Sequence, residues 1–467
     1  MVDMIIFNEI IYLNTNFMIK YNGMVERKDL TKGNVYKQLL LFFFPVFLGY
    51  FFQQLYNTFD AVIVGNYVGK EALAAVGGTT ATLLNLLVNF IIGLASGVTV
   101  IVAQSYGSRD YQRVNNTVRT GLFMGIVLGF AMMIFGIIFT PNLLNLMGVP
   151  SDIYNYALTY MRIYFIGLIP SMIYNVGTSI LRAVGDSRRP LFFLIVACIT
   201  NVTLDLVFVL VFKLEVFGVA LATIISQLIT AILTLLVLYR SDDCYHFTLK
   251  DLTFDSTLFG QIIKIGLPSG INSVLYSVSN LFIQATINGF GTDTIAAYTA
   301  VGKIDELYWN FDNAFGIATM TLVGQNFGAK NNERIKKSIR SSFLLEGIGT
   351  IFIMAICYFF GAQILHIFTN DSTVIEIGVV ILQFLSLTWW LFIPIEVISS
   401  SAKACGDVIY SMIFSAVGIC GVRMLYLALF TFKTPTEALY CYPLSWFIAD
   451  IIYIIYFFKR SIFKDFR

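Results

Sequence analysis

Several acidic and amide side chains of this chain stand inside stretches that are otherwise apolar, and such groups carry chemistry by default because they are costly to bury. Asp60, Asn201, Asp205 and Thr223 form the first group. Asn201 and Asp205 are four residues apart, one helical turn on the same face. Two carboxylates, an amide and a hydroxyl gathered at one level would offer hard oxygen ligands to Na⁺. The same two carboxylates would otherwise repel so strongly that one holds a proton. Asn175 is a further candidate for this site. The alternative is structural, with Asp60 and Asp205 capping or bridging helices. A second group comprises Asp305, Asp312, Glu396 and Arg423. Asp305 and Asp312 are seven apart, two turns along one helix face, and Glu396 follows Pro394 by two residues. These four are candidates for a substrate cavity, or for internal pairing of acids with Lys303 and Arg423. Gln53, Tyr56 and Asn57 could line a cavity for flat cations.

The elements that must hold these groups follow from composition. The hydrophobic fraction is 57% and the charged fraction 12%, with a formal net charge of +2 and a mean hydropathy of +0.78. That excludes a disordered chain, a soluble enzyme of ordinary composition and a dedicated nucleic-acid binder. It describes a polytopic membrane protein. The six cysteines, Cys198, Cys244, Cys357, Cys405, Cys420 and Cys441, are dispersed, so neither a disulfide framework nor a zinc site is expected.

Apolar runs long enough to cross a bilayer occur near residues 38–65, 75–102, 117–140, 153–181, 190–212, 216–239, 262–287, 294–323, 339–360, 374–401, 408–431 and 438–459. This predicts an all-α integral membrane protein with twelve transmembrane helices. Basic residues crowd the loops of one side: Arg109 and Arg113, then Arg182, Arg188 and Arg189, then Lys330, Arg334, Lys336 and Lys337. The opposite loops hold only Lys70, Lys213 and Lys433. The bias puts the basic side and both termini in the cytoplasm. On this topology Asp60, Asp205 and Thr223 all lie roughly 9–11 Å below the outer surface, at about 1.5 Å per helical residue.

The chain also repeats itself at an offset of about 221–223 residues. Gln104-Ser-Tyr-Gly107 matches Gln325-Asn-Phe-Gly328, Gly185-Asp186 matches Gly406-Asp407, and Pro45 matches Pro268. Each unit has six spans, so the two share one orientation: two six-helix lobes related by a parallel pseudo-two-fold repeat, a transporter signature. The organisation expected is a poorly defined extension at 1–23, an N-lobe at 24–239, an inter-lobe linker at 240–261, a C-lobe at 262–459 and a tail at 460–467. Asp60 and Asp205 have Ile283 and Tyr426 as repeat partners, so the N-lobe carboxylate site is not duplicated.

These features resemble the multidrug and toxic compound extrusion (MATE) exporters, in the branch of the bacterial DinF-like and NorM-like members. The resemblance rests on the repeated Gln-x-x-Gly and Gly-Asp elements, Val64-Gly65-Asn66-Tyr67-Val68-Gly69, Val102-Ala-Gln104-Ser-Tyr-Gly107 and Asn201-Val-Thr-Leu-Asp205, from about Lys28 to the C-terminus. It implies a V-shaped bundle opening alternately to each side, and export of amphipathic, mostly cationic compounds against H⁺ or Na⁺ flow. It also implies a cation site at Asp60, Asn201 and Asp205, since the family uses an aspartate in span 1 and an Asn-x-x-x-Asp pair in span 5. In NorM-like members an acid in span 10 is functional, and Glu396 stands there. Their acid in span 7 is missing here, where Asn272, Asn280 and Gln284 occur.

The expected function is therefore a multidrug efflux antiporter of the bacterial inner membrane. It would act as a monomer on small-molecule drugs and organic cations in membrane lipid, with no nucleic-acid partner. No cofactor is expected beyond the coupling ion, and the chain has no Gly-x-x-x-x-Gly-Lys-Ser/Thr motif for ATP. A lipid-linked oligosaccharide flippase of the same broad superfamily is the nearest rival, but it would call for a cationic cavity. An integral membrane enzyme is the rival of another class, and the short loops are poor in the residues it needs. The topology has a direct check. Cysteines at Ser108 and Asn331 should react only from the cytoplasm, and one at Asn142 only from outside. Labelling of Asn331 from outside intact cells would break the twelve-span arrangement.

Overall fold

A long apolar segment in hydrocarbon can satisfy its backbone only by coiling on itself, and every predicted span is helical. The structure is a computed structural model that describes residues 29–248 and 252–459. The 1–23 extension, Arg27, Lys28, Lys250 and the 460–467 tail lie outside the described residues. In the N-lobe, span 1 is Val35–Tyr67. Span 2 is Lys70–Gly77 continued by Thr79–Gly107, and span 3 is Tyr111–Leu146. Span 4 is Ser151–Ile166 and Leu168–Ala183, bent by 47°. Span 5 is Arg188–Leu206 with a π-helical turn at Val207–Val211, and span 6 is Glu215–Tyr239.

In the C-lobe, spans 7, 8 and 9 are Ser256–Asn288, Thr292–Gly328 and Asn332–Leu365. Span 10 is Ser372–Ser386, a 3₁₀ turn at Trp389–Phe392, and Ile393–Ala404. Span 11 is Val408–Phe414, a π-helical stretch at Ser415–Gly421, and Val422–Leu429. Span 12 is Pro435–Leu439 with Cys441–Lys459.

Among the described residues, nine helices are apolar enough to span a membrane on their own, and ten with the bent pair of span 4. Spans 7 and 8 fall short because they carry the polar load: Asn272, Asn280 and Gln284 on one, Lys303, Asp305, Glu306 and Asp312 on the other. Neighbouring helices bury Asn272 and Asp312, whereas Asn280 and Lys303 are exposed. Pro45 and Pro268 sit within unbroken helices. Pro170 and Pro394 instead fall in the first turn of a new helical segment after a break, where proline removes no needed hydrogen bond.

The repeat is written into the backbone. Left-handed residues recur at matching places: Gly69 with Gly291, Arg109 with Lys330, and Gly185 with Gly406. At the Gly-Asp turn the glycine takes φ +93° in one lobe and +86° in the other, a conformation that L side chains resist. Asp186 then accepts the Arg188 and Arg189 amides to start span 5.

The lobes meet through glycine. Gly93 and Gly97 of span 2 face Gly270, Gly266 and the Ile262 carbonyl of span 7, leaving no room for a Cβ. Spacing of four between small residues brings helix backbones together in this way. Gly121 and Gly125, at the same spacing, pack within the N-lobe on Val176 and Met172. At the basic end, Gly107 lies on the Gln325 carbonyl and Gly328 on the Gln104 carbonyl. The two glutamines then bond across the lobes in reciprocal fashion. The Gln104 amide donates to the Ala404 carbonyl (2.7 Å), and the Gln325 amide donates to the Ala183 carbonyl (2.7 Å). Ahead of span 1, residues 30–33 are strapped to the C-lobe. Leu30 N donates to Gln325 Oε1 (3.2 Å), and Arg334 donates to the carbonyls of Leu30, Lys32 and Gly33 (2.7–2.9 Å).

A Cβ at Gly107 would overlap backbone that cannot swing away. Gly107→Ala should therefore cost about 1–3 kcal/mol, the range for overpacking, and lower the melting temperature of the purified protein. Gly347→Ala, where the added methyl meets open space, should not. Equal melting temperatures for both variants would refute this account of the lobe contact.

Candidate functional site

Asp60 is carried on span 1, Asn201 and Asp205 on span 5, and Thr223 on span 6; the fold brings all four together. Asp205 stands just before the π-helical turn of span 5. The Thr223 hydroxyl donates to the Val219 carbonyl (3.0 Å) and reaches Asp60 Oδ2 at 3.5 Å. Asp205, Asn201 and Thr223 are the side-chain neighbours of the Asp60 carboxyl. All four are buried, Asp205 completely. Both oxygens of Asp205, both amide atoms of Asn201 and Asp60 Oδ1 have no hydrogen-bond partner. Two carboxylates face to face lack the donor that either needs. A proton or a Na⁺ would supply what the set lacks, and the oxygen-rich donor set fits either one.

Asn201 and Thr223 also line an N-lobe cavity of ≈ 90 Å³, with Gln53, Tyr56, Tyr174, Asn175 and Arg182, while Asp60 and Asp205 lie outside that lining. Asn175 lies on that lining but bonds back to its own helix, donating to the Ser171 carbonyl (2.8 Å). The cavity has room for an ion and water but is well below the roughly 300 Å³ at which ligand pockets begin. Gln53 and Tyr56 both line this cavity. Asn57 lines no part of it and is exposed, because it points away from its helical neighbour Tyr56.

The C-lobe holds the larger space. A cavity of ≈ 500 Å³ is lined by Asp305, Asp312, Glu396 and Arg423, with Asn272, Tyr276, Asn280, Glu306, Trp309, Lys403 and Tyr442. The four side chains that the sequence nominated thus converge, although they come from spans 8, 10 and 11. Asp305 is held by two indoles, accepting from Trp309 Nε1 (2.7 Å) and Trp389 Nε1 (3.1 Å). Arg423 donates to Ser445 Oγ (3.1 Å) and Asn280 Oδ1 (3.3 Å), and its guanidinium lies 4.4 Å above the Tyr442 ring. Of the internal pairs expected, Lys303 reaches Glu306 at 3.8 Å, whereas the polar partners of Arg423 are neutral groups. Gln54 of span 1 also donates to Glu306 (2.9 Å), a bond between lobes.

One residue escaped the sequence reading. Glu346 of span 9 is fully buried, and neither of its carboxyl oxygens has a hydrogen-bond partner. The signal was available, since Glu346 is the single charge in the run from Ser341 to Phe360.

Two six-span lobes joined backbone to backbone, with ionisable groups buried in each and a drug-sized chamber in one, define a membrane transporter. The family model described as MatE matches residues 45–207 and 268–429, one segment in each lobe, and the chain belongs to this family of multidrug efflux transporters. Among curated relatives, it is 29% identical over 401 residues to the "Probable multidrug resistance protein YoeA" of Bacillus subtilis, covering 84% of this chain and 86% of that one. It is 20% identical over 354 residues to the "Multidrug export protein MepA" of Staphylococcus saprophyticus, covering 75% and 78%. Among solved structures, it matches the outward-facing conformation of a multidrug resistance MATE family transporter of the MOP superfamily, with a TM-score of 0.88 and 22% identity over 94% of this chain and 99% of that chain.

Proposed function

We propose that this protein is a secondary active exporter of amphipathic organic cations, driven by H⁺ or Na⁺ and working by alternating access in a bacterial plasma membrane, with its basic end in the cytoplasm. The observation that carries the reading is the lining of the C-lobe cavity. Asp305, Glu306, Asp312 and Glu396 face it against Lys403 and Arg423, so its acids outnumber its bases two to one. An acidic, partly aromatic chamber favours a cation with flat apolar surface, which Trp309 and Tyr276 can receive. The same excess of acid disfavours the anionic pyrophosphate of a lipid-linked oligosaccharide. In this reading Asp60, Asn201, Asp205 and Thr223 bind the coupling ion, because Asp60 Oδ1, Asn201 Oδ1 and both oxygens of Asp205 are buried without a partner. Ion binding there can drive transport only by having different affinities in the two conformations.

Asp60→Asn and Asp205→Asn should each lower gradient-driven efflux of ethidium at least ~tenfold, the loss of about 1.4 kcal/mol of coupling. Both proteins should remain in the membrane and still bind dye. Asp450→Asn, in the other lobe and outside both cavities, should pump normally. Everted vesicles energised separately with a pH gradient and a Na⁺ gradient identify the ion. Wild-type pumping by both Asp60→Asn and Asp205→Asn would overturn the ion-site assignment. Failure to exclude any cationic dye, with expression verified, would overturn the exporter reading.

A further inference from the structure

Spans 8 and 9 bury a run of polar side chains against each other. At one end the Tyr308 hydroxyl lies 3.5 Å from Thr350 Oγ1 and donates to the Trp389 carbonyl (3.2 Å). At the other, Thr319 donates to Ser342 Oγ (2.7 Å), which donates to the Ser338 carbonyl. Between these two satisfied rungs, Asp312 and Glu346 face each other. Asp312 is 2% exposed and Glu346 0%. Asp312 Oδ1 and both oxygens of Glu346 have no hydrogen-bond partner. The middle rung lacks a donor that every other rung has.

The surroundings define a direction. Asp312 lines the 500 Å³ cavity, while Glu346 lies behind it and does not. The span 9 side is closed by the Phe311 ring, which fills the space that a side chain at Gly349 would need and packs on Phe43 of span 1 at 5.4 Å. Span 10 brings Glu396 and Lys403 toward the pair. Glu396 accepts from Ser400 Oγ (2.6 Å) and occupies the gap beside Gly316, one turn from Asp312. Tyr308 of span 8 is the remaining titratable neighbour.

Two carboxylates in contact away from water cannot both stay charged, and a shared proton supplies the absent donor. A cation arriving beside Asp312 offers the pair a different compensation, and the proton is then free to leave. We propose that Asp312 and Glu346 form a proton site of the C-lobe, whose proton is displaced when an organic cation occupies the adjoining cavity. This rests on the reading of that cavity as a cation site and adds a second, competitive exchange to the N-lobe ion site. It assigns Asp312 to the cavity face and Glu346 to the reservoir behind it.

The experiment adds tetraphenylphosphonium to the purified full-length protein in weakly buffered solution with a pH indicator. The wild-type protein should release protons, and its affinity for the probe should rise with pH, by at most about tenfold per unit for one competing proton. Glu346→Gln should still bind the probe, with the release cut to below about a fifth and the pH dependence flattened. Asp312→Asn removes a carboxylate from the cavity face, so it should bind the probe more weakly; at probe concentrations that saturate it, its release should also fall below about a fifth, which serves should Glu346→Gln fail to fold. Asp450→Asn should release as the wild type does. In wild-type protein, the infrared band of a protonated carboxylic acid should diminish on probe binding, and NaCl should not replace the probe. Wild-type release from both pair variants, release lost only in Asp60→Asn, or an unchanged infrared band would overturn the proposal while leaving cation binding intact. A folded protein that binds no probe at any pH would remove the cavity reading itself, and this proposal with it.

Discussion

Direct backbone contact between the ends of spans 2 and 8 sets how the two lobes sit at the basic end. Gly107 and Gly328 each lie against the carbonyl of the other lobe's glutamine, a distance that a single methyl would abolish. That closeness places Gln104 and Gln325 where their amides reach the last carbonyls of spans 10 and 4, Ala404 and Ala183. Helix C-termini leave such carbonyls without internal partners, so the clamp satisfies groups that would otherwise be orphaned. Amide–carbonyl bonds contribute only about 0.5–1.5 kcal/mol each in net terms. The contact therefore holds by shape complementarity along spans 2 and 7 more than by bond strength.

The repeat keeps its frame and lets its contents diverge. Left-handed turns at Gly69, Gly185, Gly291 and Gly406 recur because the chain must reverse at equivalent points in both lobes. No such constraint acts on side chains facing the cavities. Asp60 has the buried Ile283 as its counterpart, and Asp205 has Tyr426, which donates to the Glu437 carbonyl (2.9 Å). The C-lobe instead puts its acids on spans 8, 9 and 10. The N-lobe cavity is thus ≈ 90 Å³, and the C-lobe cavity ≈ 500 Å³. Two copies of one backbone have come to hold cavities of different size and lining.

Unpartnered carboxyl groups recur in both lobes, at Asp60 and Asp205 and again at Asp312 and Glu346. A buried charge without compensation is among the more costly features a fold can contain, and a mere helix bridge would have supplied a donor. Asp305 shows the contrast, with two indole N–H groups aimed at it.

The sequence by itself determined the class, the span positions and the repeat, because hydropathy, basic loops and glycine turns are local or periodic signals. It also placed Asp60, Asn201, Asp205 and Thr223 together, since equal depth on spans of known direction narrows the options. Neither depth nor periodicity specifies which way a helix is rotated, and there the tertiary structure decided. Asn57 turns outward while Tyr56 faces the chamber. Arg423 settles over Tyr442 and not on an acid, and Asn272 of span 7 and Asp312 of span 8 are buried by neighbouring helices. The partner of Glu346 became visible only when spans 8 and 9 were docked. A lone acid in an apolar run says that something must compensate it, and only packing shows that the group facing it is another carboxyl.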